Sequence, residues 1–413
     1  MIQGLYTSLS GLRSSRLAIE VIGDNIANVN TDGYQKREYR AKENYSIIKN
    51  SNNIGTGVSS YPIKRSHNEI MFSKMKNSLS LLSEDKAYKD GINFLNKLVL
   101  ENIDKKNDIN SLINNMYNSI EEISKNPNNK SIHEIFKSNL KLILDRADYL
   151  DKTLDKTLDK MISNIDLSIN SKRDEINQNL KEFDLLTEKI SIYESANDMN
   201  IKNRYMNDLR DRRDLIEERL SELSSFRVQK TKYSNGRINI TDTGNRIYSR
   251  SSYETSGEIK GLKDLKDTII DLKNTFNKDF SKFKRNINNI YIKYGNENLI
   301  IDNKVTDNEL FFSKENNLGD NTIALDLLKL RDKNSFDMNF KNIIFSENTK
   351  INSNYLYTES LFNIYKENND SVSKVNIDTE TINLINYQRA YEANAKVIKT
   401  INEILKTTIN LKN

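Results

Sequence analysis

His67 and His133 are the whole imidazole complement of the chain. Metal-assisted hydrolysis from a helix needs two histidines one turn apart with a carboxylate between them. The stretch "HEIFK" at 133–137 supplies the first histidine without its partner. Both histidines therefore read as surface or packing residues. The closest approach to a phosphate-cradling loop is "GTG" at 55–57, which lacks a third glycine and the flanking strand and helix. No P-loop lysine motif and no Gly-x-Ser-x-Gly elbow occurs. With no cysteine in the sequence, disulfides, thiolate metal sites and thiol nucleophiles are excluded. The residues therefore imply no catalytic group, no metal and no cofactor.

What remains is carboxylate and guanidinium. Carboxylates are numerous enough to supply a hydrolase pair, but most stand beside Lys or Arg on polar helix faces, where water solvates them. The densest case is "NDLRDRRD" at 207–214. Asp208–Arg212 and Arg210–Asp214 are spaced to pair along one helix, worth a few tenths of a kcal/mol each. That makes a solvated charged face the plain expectation, with a contact-making or conformation-setting role as the alternative.

The elements that would position such residues are mostly helices. Only two prolines interrupt 413 residues, a length that suits two or three domains. The 63 basic and 58 acidic residues are interleaved and leave a net charge of +5, so the one-sided basic surface of a nucleic-acid binder is not expected. No run approaches the ~18 apolar residues of a membrane span, so no membrane insertion is expected. The N-terminal segment lacks the basic and apolar regions of a general secretory signal.

Periodicity is clearest at the two ends. Ile2, Leu5, Leu9, Leu12, Arg16, Ile19, Gly23, Ile26 and Asn30 hold a strict 3-4 spacing, a narrow stripe that wants a partner helix. It runs into Asn28, Asn30 and Asp32-Gly33, residues that tolerate the left-handed region, so a helix end and a tight turn are expected there. Near the other end, Asp378 can cap a helix in which Leu384, Tyr387, Tyr391, Asn394, Ile398, Ile401, Leu405 and Thr408 repeat the spacing. Each stripe is about 40 Å long by helical rise. A lone helix with one such seam frays, so the ends are expected to order on assembly.

Between them, helices are expected near 80–124, 131–195 and 202–224. The longest carries Leu158, Ile162, Ile165, Ile169, Lys172, Ile176, Asn179, Phe183, Leu186, Ile190 and Tyr193 on one face. "FRVQKTKY" and "GRINIT" around Ser234-Asn235-Gly236 predict a hairpin, with "RIYSR" adding to a small β patch. A helix returns at about 261–291. Residues 292–370 are weakly patterned, with a helix near 322–332.

The fold class expected is mainly α: paired terminal coiled-coil helices, a long antiparallel helical bundle and a small β-containing domain. The domains expected are an axial helix and turn at 1–45 pairing with 375–413, a bundle at 46–225, a hairpin and returning helix at 226–300, and a reduced mixed region at 301–374.

Specific stretches also carry a family resemblance. "LSGLRSSRLAIEVIGDNIANVNTDGY" (9–34) and "INYQRAYEANAKVIKTINEILKTTINL" (385–411) resemble the two terminal signatures of flagellar axial proteins: rod, hook and hook-associated. "NPNN" (126–129), "NDLRDRRDLIEERLSEL" (207–223), "SGEIKGLKDLKDTI" (256–269), "LGDNTIALDLLKLRD" (318–332) and "VSKVNIDTET" (372–381) are similar, in order, to the hook-associated members. Asp32 stands where the family's turn has proline, and the region after Tyr291, with the helix before "VSKVNID", looks shortened.

The resemblance implies a non-enzymatic, secreted junction protein that links hook to filament and is needed for filament assembly and motility. It implies export by the flagellar type III apparatus without a cleaved signal, an extracellular place at the hook–filament junction, and a chaperone at the C-terminal region. The implied partners are copies of itself in a ring, the hook protein, and a second junction protein or the filament. The assembly seam would then be Leu5, Leu9, Leu12, Ile19, Ile26, Leu384, Tyr387, Tyr391, Ile398, Ile401 and Leu405, turned outward at Asn30, Asp32 and Gly33. The alternatives are another axial protein, of hook or rod, or a secreted coiled-coil effector of a related type III system.

Overall fold

The computed structural model describes residues 2–49, 52–103, 109–195, 199–226, 228–232, 238–242, 255–292, 300–301, 304–305, 321–329, 331 and 339–410. Helix α1, Ile2–Ala27, opens the chain. It ends where asparagine competes for the last carbonyls. The Asn28 amide and side chain both donate to Asp24 O, at 3.1 and 2.9 Å. Gly33 then takes φ 76°, a left-handed turn that a Cβ would strain.

A ribbon follows. Strands β1 (Arg37–Glu38), β2 (Ala41–Glu43), β3 (Ile47–Lys49), β4 (Asn52–Ile54), β5 (Val58–Ser60) and β6 (Lys64–Arg65) nest as antiparallel pairs, β3 with β4 inside β2 with β5 inside β1 with β6. Residues 47–65 were expected to be helical bundle. Gly55, Gly57, Pro62 and the β-branched Ile47, Ile48, Ile54, Val58 and Ile63 favour strand over helix there.

The chain then becomes helical. Asn68 caps α2 (Glu69–Ile103), its carboxamide oxygen accepting from the Ile70 and Met71 amides at 3.1 and 3.2 Å. Helix α3, Ile109–Lys125, is separate from α2, where one helix over 80–124 was expected. After Pro127, Asn129 caps α4, Lys130–Ser195. Leu150, Leu154, Leu158, Met161, Ile165, Ile169, Ile176, Phe183, Leu186 and Ile190 are its buried stripe. Met161, not Ile162, faces inward, because an α-helix drifts against a strict 3.5-residue repeat.

Next come α5 (Met199–Leu223), the antiparallel pair β7 (Val228–Lys232) and β8 (Ile238–Asp242), and α6 (Glu258–Ile292). The expected hairpin turn at 234–236 and "RIYSR" lie outside the described residues. A two-residue pair, β9 (Ile300–Ile301) and β10 (Lys304–Val305), precedes α7, Thr322–Leu328.

Helix α8, Asn339–Ser373, corrects the expectation of weak structure there. Its buried Ile344 and Ile351 are masked in the sequence by apolar residues on other faces. Phe345, Leu356, Tyr357 and Ile364 are all exposed. Helix α9, Ile377–Asn410, completes a mainly α fold.

The chain divides into two compact units. One comprises Met1–Ser83, Arg173–Gly257 and Thr358–Asn413, the other Glu84–Lys172 and Glu258–Tyr357. In the second, α3 buries Leu112, Ile113, Met116, Tyr117, Ile120 and Ile123, a stripe wide enough to make it a core helix. In the first, Phe183 of α4 meets Phe226 edge-on at 5.6 Å, beside a buried Leu220 on α5. Phe183 is only 1% exposed. Phe183→Ala should therefore cost the first unit about 3–5 kcal/mol, seen as a lowered urea midpoint. A loss under ~1 kcal/mol would show that the aromatic pair is peripheral.

Candidate functional site

Two features of the first unit stand out: the pairing of its end helices and a buried charge network next to it. The helices α1 and α9 run antiparallel. A Cβ on Gly4 would lie 3.5 Å from Ile401 Cδ1, and one on Gly11 only 2.7 Å from Asn394 Oδ1. Further along, Asn25 Nδ2 donates to Glu380 Oε2 at 3.2 Å. Steps of seven or fourteen residues along α1 are answered by equal steps back along α9, which is a heptad register. Glycine at position 11 lets the Asn394 side chain press on the α1 backbone.

The structure places the expected seam residues as follows. Leu5, Leu9, Leu12, Ile19 and Ile26 of α1 are half-buried. Among the described residues of α1 the fully buried positions are Ser8, Ser15, Ala18, Val21, Ile22 and Asn25, a smaller and more polar stripe rotated from the expected one. The ribbon helps to cause the rotation by covering α1 as well. Ser10 Oγ accepts from the Val58 amide at 3.0 Å, and Ser14 hydrogen-bonds Tyr39, whose ring meets Tyr387 edge-on at 6.0 Å.

On α9, Leu384, Tyr387, Asn394, Ile398, Ile401 and Leu405 are half-buried and Tyr391 is exposed. Among the described residues of α9, Glu380 alone is fully buried. Ile382, Ile385, Val397 and Ile404 face outward and are exposed. Asn30, Asp32 and Gly33 form the exposed turn.

Beyond the turn, α5 receives the ribbon through charge. Register sets Arg37 opposite Arg65 on β1 and β6, a like-charge pair that is unfavourable without acids to meet it. Those acids are on α5. Arg37 Nη2 donates to Asp208 at 2.9 Å and to Asp211 at 2.6 Å, and Arg65 Nη1 donates to Asp214 at 2.6 Å. Gln35 adds its amide to Asp211 and its carboxamide to Asp214. Burial works against the Arg37 charge, yet the hydrogen bonds and charges of Asp211 and Asp208 leave its pKa above the ordinary value. Burial pushes Asp211 up, opposed by Arg37 and Arg65. Tyr34, under the Arg37 guanidinium, is pushed up to about 12 by burial, with Arg37 pulling the other way. His67 hydrogen-bonds Gln35 and Glu69 and stands 3.6 Å from Asp214, held as a packing group.

The expected pairs within α5 do not form. Arg212 pairs with Glu182 and Arg210 with Glu194, both on α4, while Asp208 and Asp214 go to the ribbon. "NDLRDRRD" is therefore a two-sided connector whose buried side holds the ribbon. Arg37 and Arg65, some 145–175 residues away along the chain, were not legible as its partners. The network carries no nucleophile and base in working geometry; it fixes direction.

Glu218, one turn further on, is pushed up to about 7 from an ordinary 4.5 by burial, then by the charges of Asp214, Glu222 and Asp370, with Lys76 opposing. The raised value means that the fold favours the protonated form. Its contribution is fully present below about pH 4.5 and is lost as pH rises through 7. Glu218→Gln should therefore stabilise the unit at pH 8 by about 3 kcal/mol and leave it unchanged near pH 4.5, read from urea midpoints at both pH values. An equal effect at both would mean that Glu218 does not titrate in this window.

Comparison with known proteins bears on both features. A model of the flagellar hook-associated protein FlgK helical domain matches residues 98–274, which include α5. A flagella basal body rod protein model matches residues 5–35, over α1 and its turn, and a flagellar basal body rod FlgEFG protein C-terminal model matches 368–411, over α9. Flagellar hook-associated protein 1 of Bacillus subtilis (strain 168) is 23% identical over 238 residues, 55% of this chain and 44% of the relative. The flagellar basal-body rod protein FlgG of the same organism is 31% identical over 101 residues, 21% of this chain and 38% of the relative. The chain thus spans less than half the length of these two relatives. With axial-protein ends on either side of a hook-associated helical domain, the chain is similar to flagellar axial proteins, and the matches support a FlgK-type protein.

Proposed function

We propose that this chain is a structural subunit of the flagellar axis, placed at the hook–filament junction, where it links hook to filament and is needed for filament growth. The observation that carries the proposal is the order of the matches: a helical domain of hook-associated type between two paired end helices of axial type. The role is non-enzymatic. Its chemistry is docking, with a charged connector that ties the ribbon after α1 to α5.

The subunit reaches its place by flagellar type III export without a cleaved signal, escorted by a chaperone at its C-terminal region. There it forms a ring with copies of itself between the hook protein and a second junction protein or the filament. The shallow helix pair supports templated ordering. Half-buried seams and the exposed Ile382, Ile385, Val397 and Ile404 leave the pair short of cover until neighbours supply it.

Electron microscopy of cells lacking this gene, with a flagellin assay on the medium, tests the placement. Bare hooks with free flagellin outside are expected. Absent hooks would move the protein inward to rod or hook, and normal flagella would sink the axial role. A charge in the seam tests the docking surface. Leu9→Asp or Ile398→Asp should abolish incorporation while circular dichroism of the central helices persists, since each puts a carboxylate between α1 and α9. Assembly by either variant at the wild-type level would remove the seam from the mechanism.

A further inference from the structure

Heptad seams are nearly degenerate under a slide of seven residues, because each apolar position finds another of its kind. The α1–α9 pair shows this clearly. Gly4, Gly11 and Ala18 repeat every seven residues on α1, and Tyr387, Asn394 and Ile401 do so on α9. A half-buried apolar interface on one face of α9 gives little energy to choose among such registers.

Besides the close fit of Asn394 on Gly11, one fully buried polar position on each helix breaks the degeneracy. Asn25 is 1% exposed and uses its whole side chain: Nδ2 donates to Glu380 Oε2 and to the Arg37 carbonyl, while Oδ1 accepts from the Arg37 amide and from Tyr34 Oη. Glu380 is 2% exposed and also bridges to Lys36 at 3.0 Å. Lys36 is itself fixed on its backbone, its amide donating to Ser373 O and its carbonyl accepting from the Ser66 amide, both at 2.7 Å. It is unusual for a 34-residue helix that docks through isoleucine and leucine to bury a carboxylate and nothing else fully.

We infer that Asn25, Glu380 and Lys36 form a polar pin that determines the register of the two end helices and ties that register to the turn after α1. The geometry explains why a slide fails. Moving α9 seven residues one way sets Glu380 against Ala18, in the driest part of the seam. Moving it the other way carries Glu380 past the end of α1 at Ala27 and leaves Asn25 against Tyr387. The first slide strands the carboxylate in the dry seam, and either slide takes it from the buried Asn25 carboxamide, whose backbone partners do not move with α9. A buried polar residue at a core position of a coiled coil can act in this way, giving up stability for uniqueness. The pin concerns pairing within the chain and stands whether or not the junction placement holds.

Because the chain has no cysteine, register can be read in the full-length protein by disulfide trapping. Gly4→Cys is combined in turn with Ile401→Cys, which reports the observed register, and with Asn394→Cys or Thr408→Cys, which report the two slides. In the parent chain the Ile401 pair should close in preference to the slipped pairs by on the order of 100-fold. Adding Asn25→Leu and Glu380→Leu should retain helical circular dichroism and let a slipped pair close within tenfold of the observed one. Glu380→Gln, which keeps the hydrogen bond to Asn25, should restore the preference.

Unchanged trapping in the double-leucine variant would overturn the pin, as would a parent chain that shows no preference among the three pairs once assembled, where the end helices are ordered. Should the double-leucine variant lose helix, Glu380→Ala alone carries the test. A slipped disulfide in it upholds the pin, and an unchanged preference removes it.

Discussion

Arg37 joins three parts of the first unit. Its backbone amide and carbonyl are both held by Asn25 at the end of α1, and its guanidinium is held by Asp208 and Asp211 on α5. Main chain faces one way and side chain the other, so the direction of the inner helix is set relative to α5 by a residue that is only 6% exposed. Buried charge of this kind is a poor source of stability, since the cost of removing two ions from water consumes most of their attraction. What it supplies is uniqueness, because no nearby arrangement satisfies two arginines and three aspartates at once.

That preference for uniqueness runs through the rest of the unit. The helix pair could have been built from large apolar residues on both sides. Instead α1 buries Ser8, Ser15, Ala18 and Asn25 beside Val21 and Ile22, and among the described residues α9 buries only Glu380. A narrow seam of small residues brings the two backbones close but removes little apolar area from water, which limits the stabilisation of the isolated pair. For a chain similar to axial proteins this is a coherent compromise. A helix pair that satisfied itself completely would have no apolar face left for an assembly, whereas one left half-covered needs a separate device to keep its alignment.

The sequence showed the helices where one face stays apolar and the other polar. The helices expected over 131–195, 202–224 and 261–291 and at the C-terminal end form as α4, α5, α6 and α9. Where a second element covers the same helix, the period misleads. On α1 the stripe Leu5, Leu9, Leu12, Ile19, Ile26 is half-covered, and the truly buried row is rotated from it because the ribbon packs there too. The ribbon itself was not read, since strands of two and three residues are too short to show alternation. In α8, exposed Phe345, Leu356, Tyr357 and Ile364 blurred the pattern of a helix that forms regardless.

The charge network was the hardest part to read, and the reason is general. Local spacing in "NDLRDRRD" offers pairs at i,i+4, which cost no loop closure and are the natural inference from one segment. Such pairs stay in water and bring only a few tenths of a kcal/mol, so they do not hold a side chain against a better partner. Once Arg37 and Arg65 are set side by side by strand register, Asp211 and Asp214 are drawn into a drier site where each contact counts for more, while Asp208 meets Arg37 at its exposed edge. Arg210 and Arg212, released from Asp214 and Asp208, turn to Glu194 and Glu182 on α4. Residue type told that the segment was charged; only the pairing of two short strands far upstream decided that one side of it would be a joint.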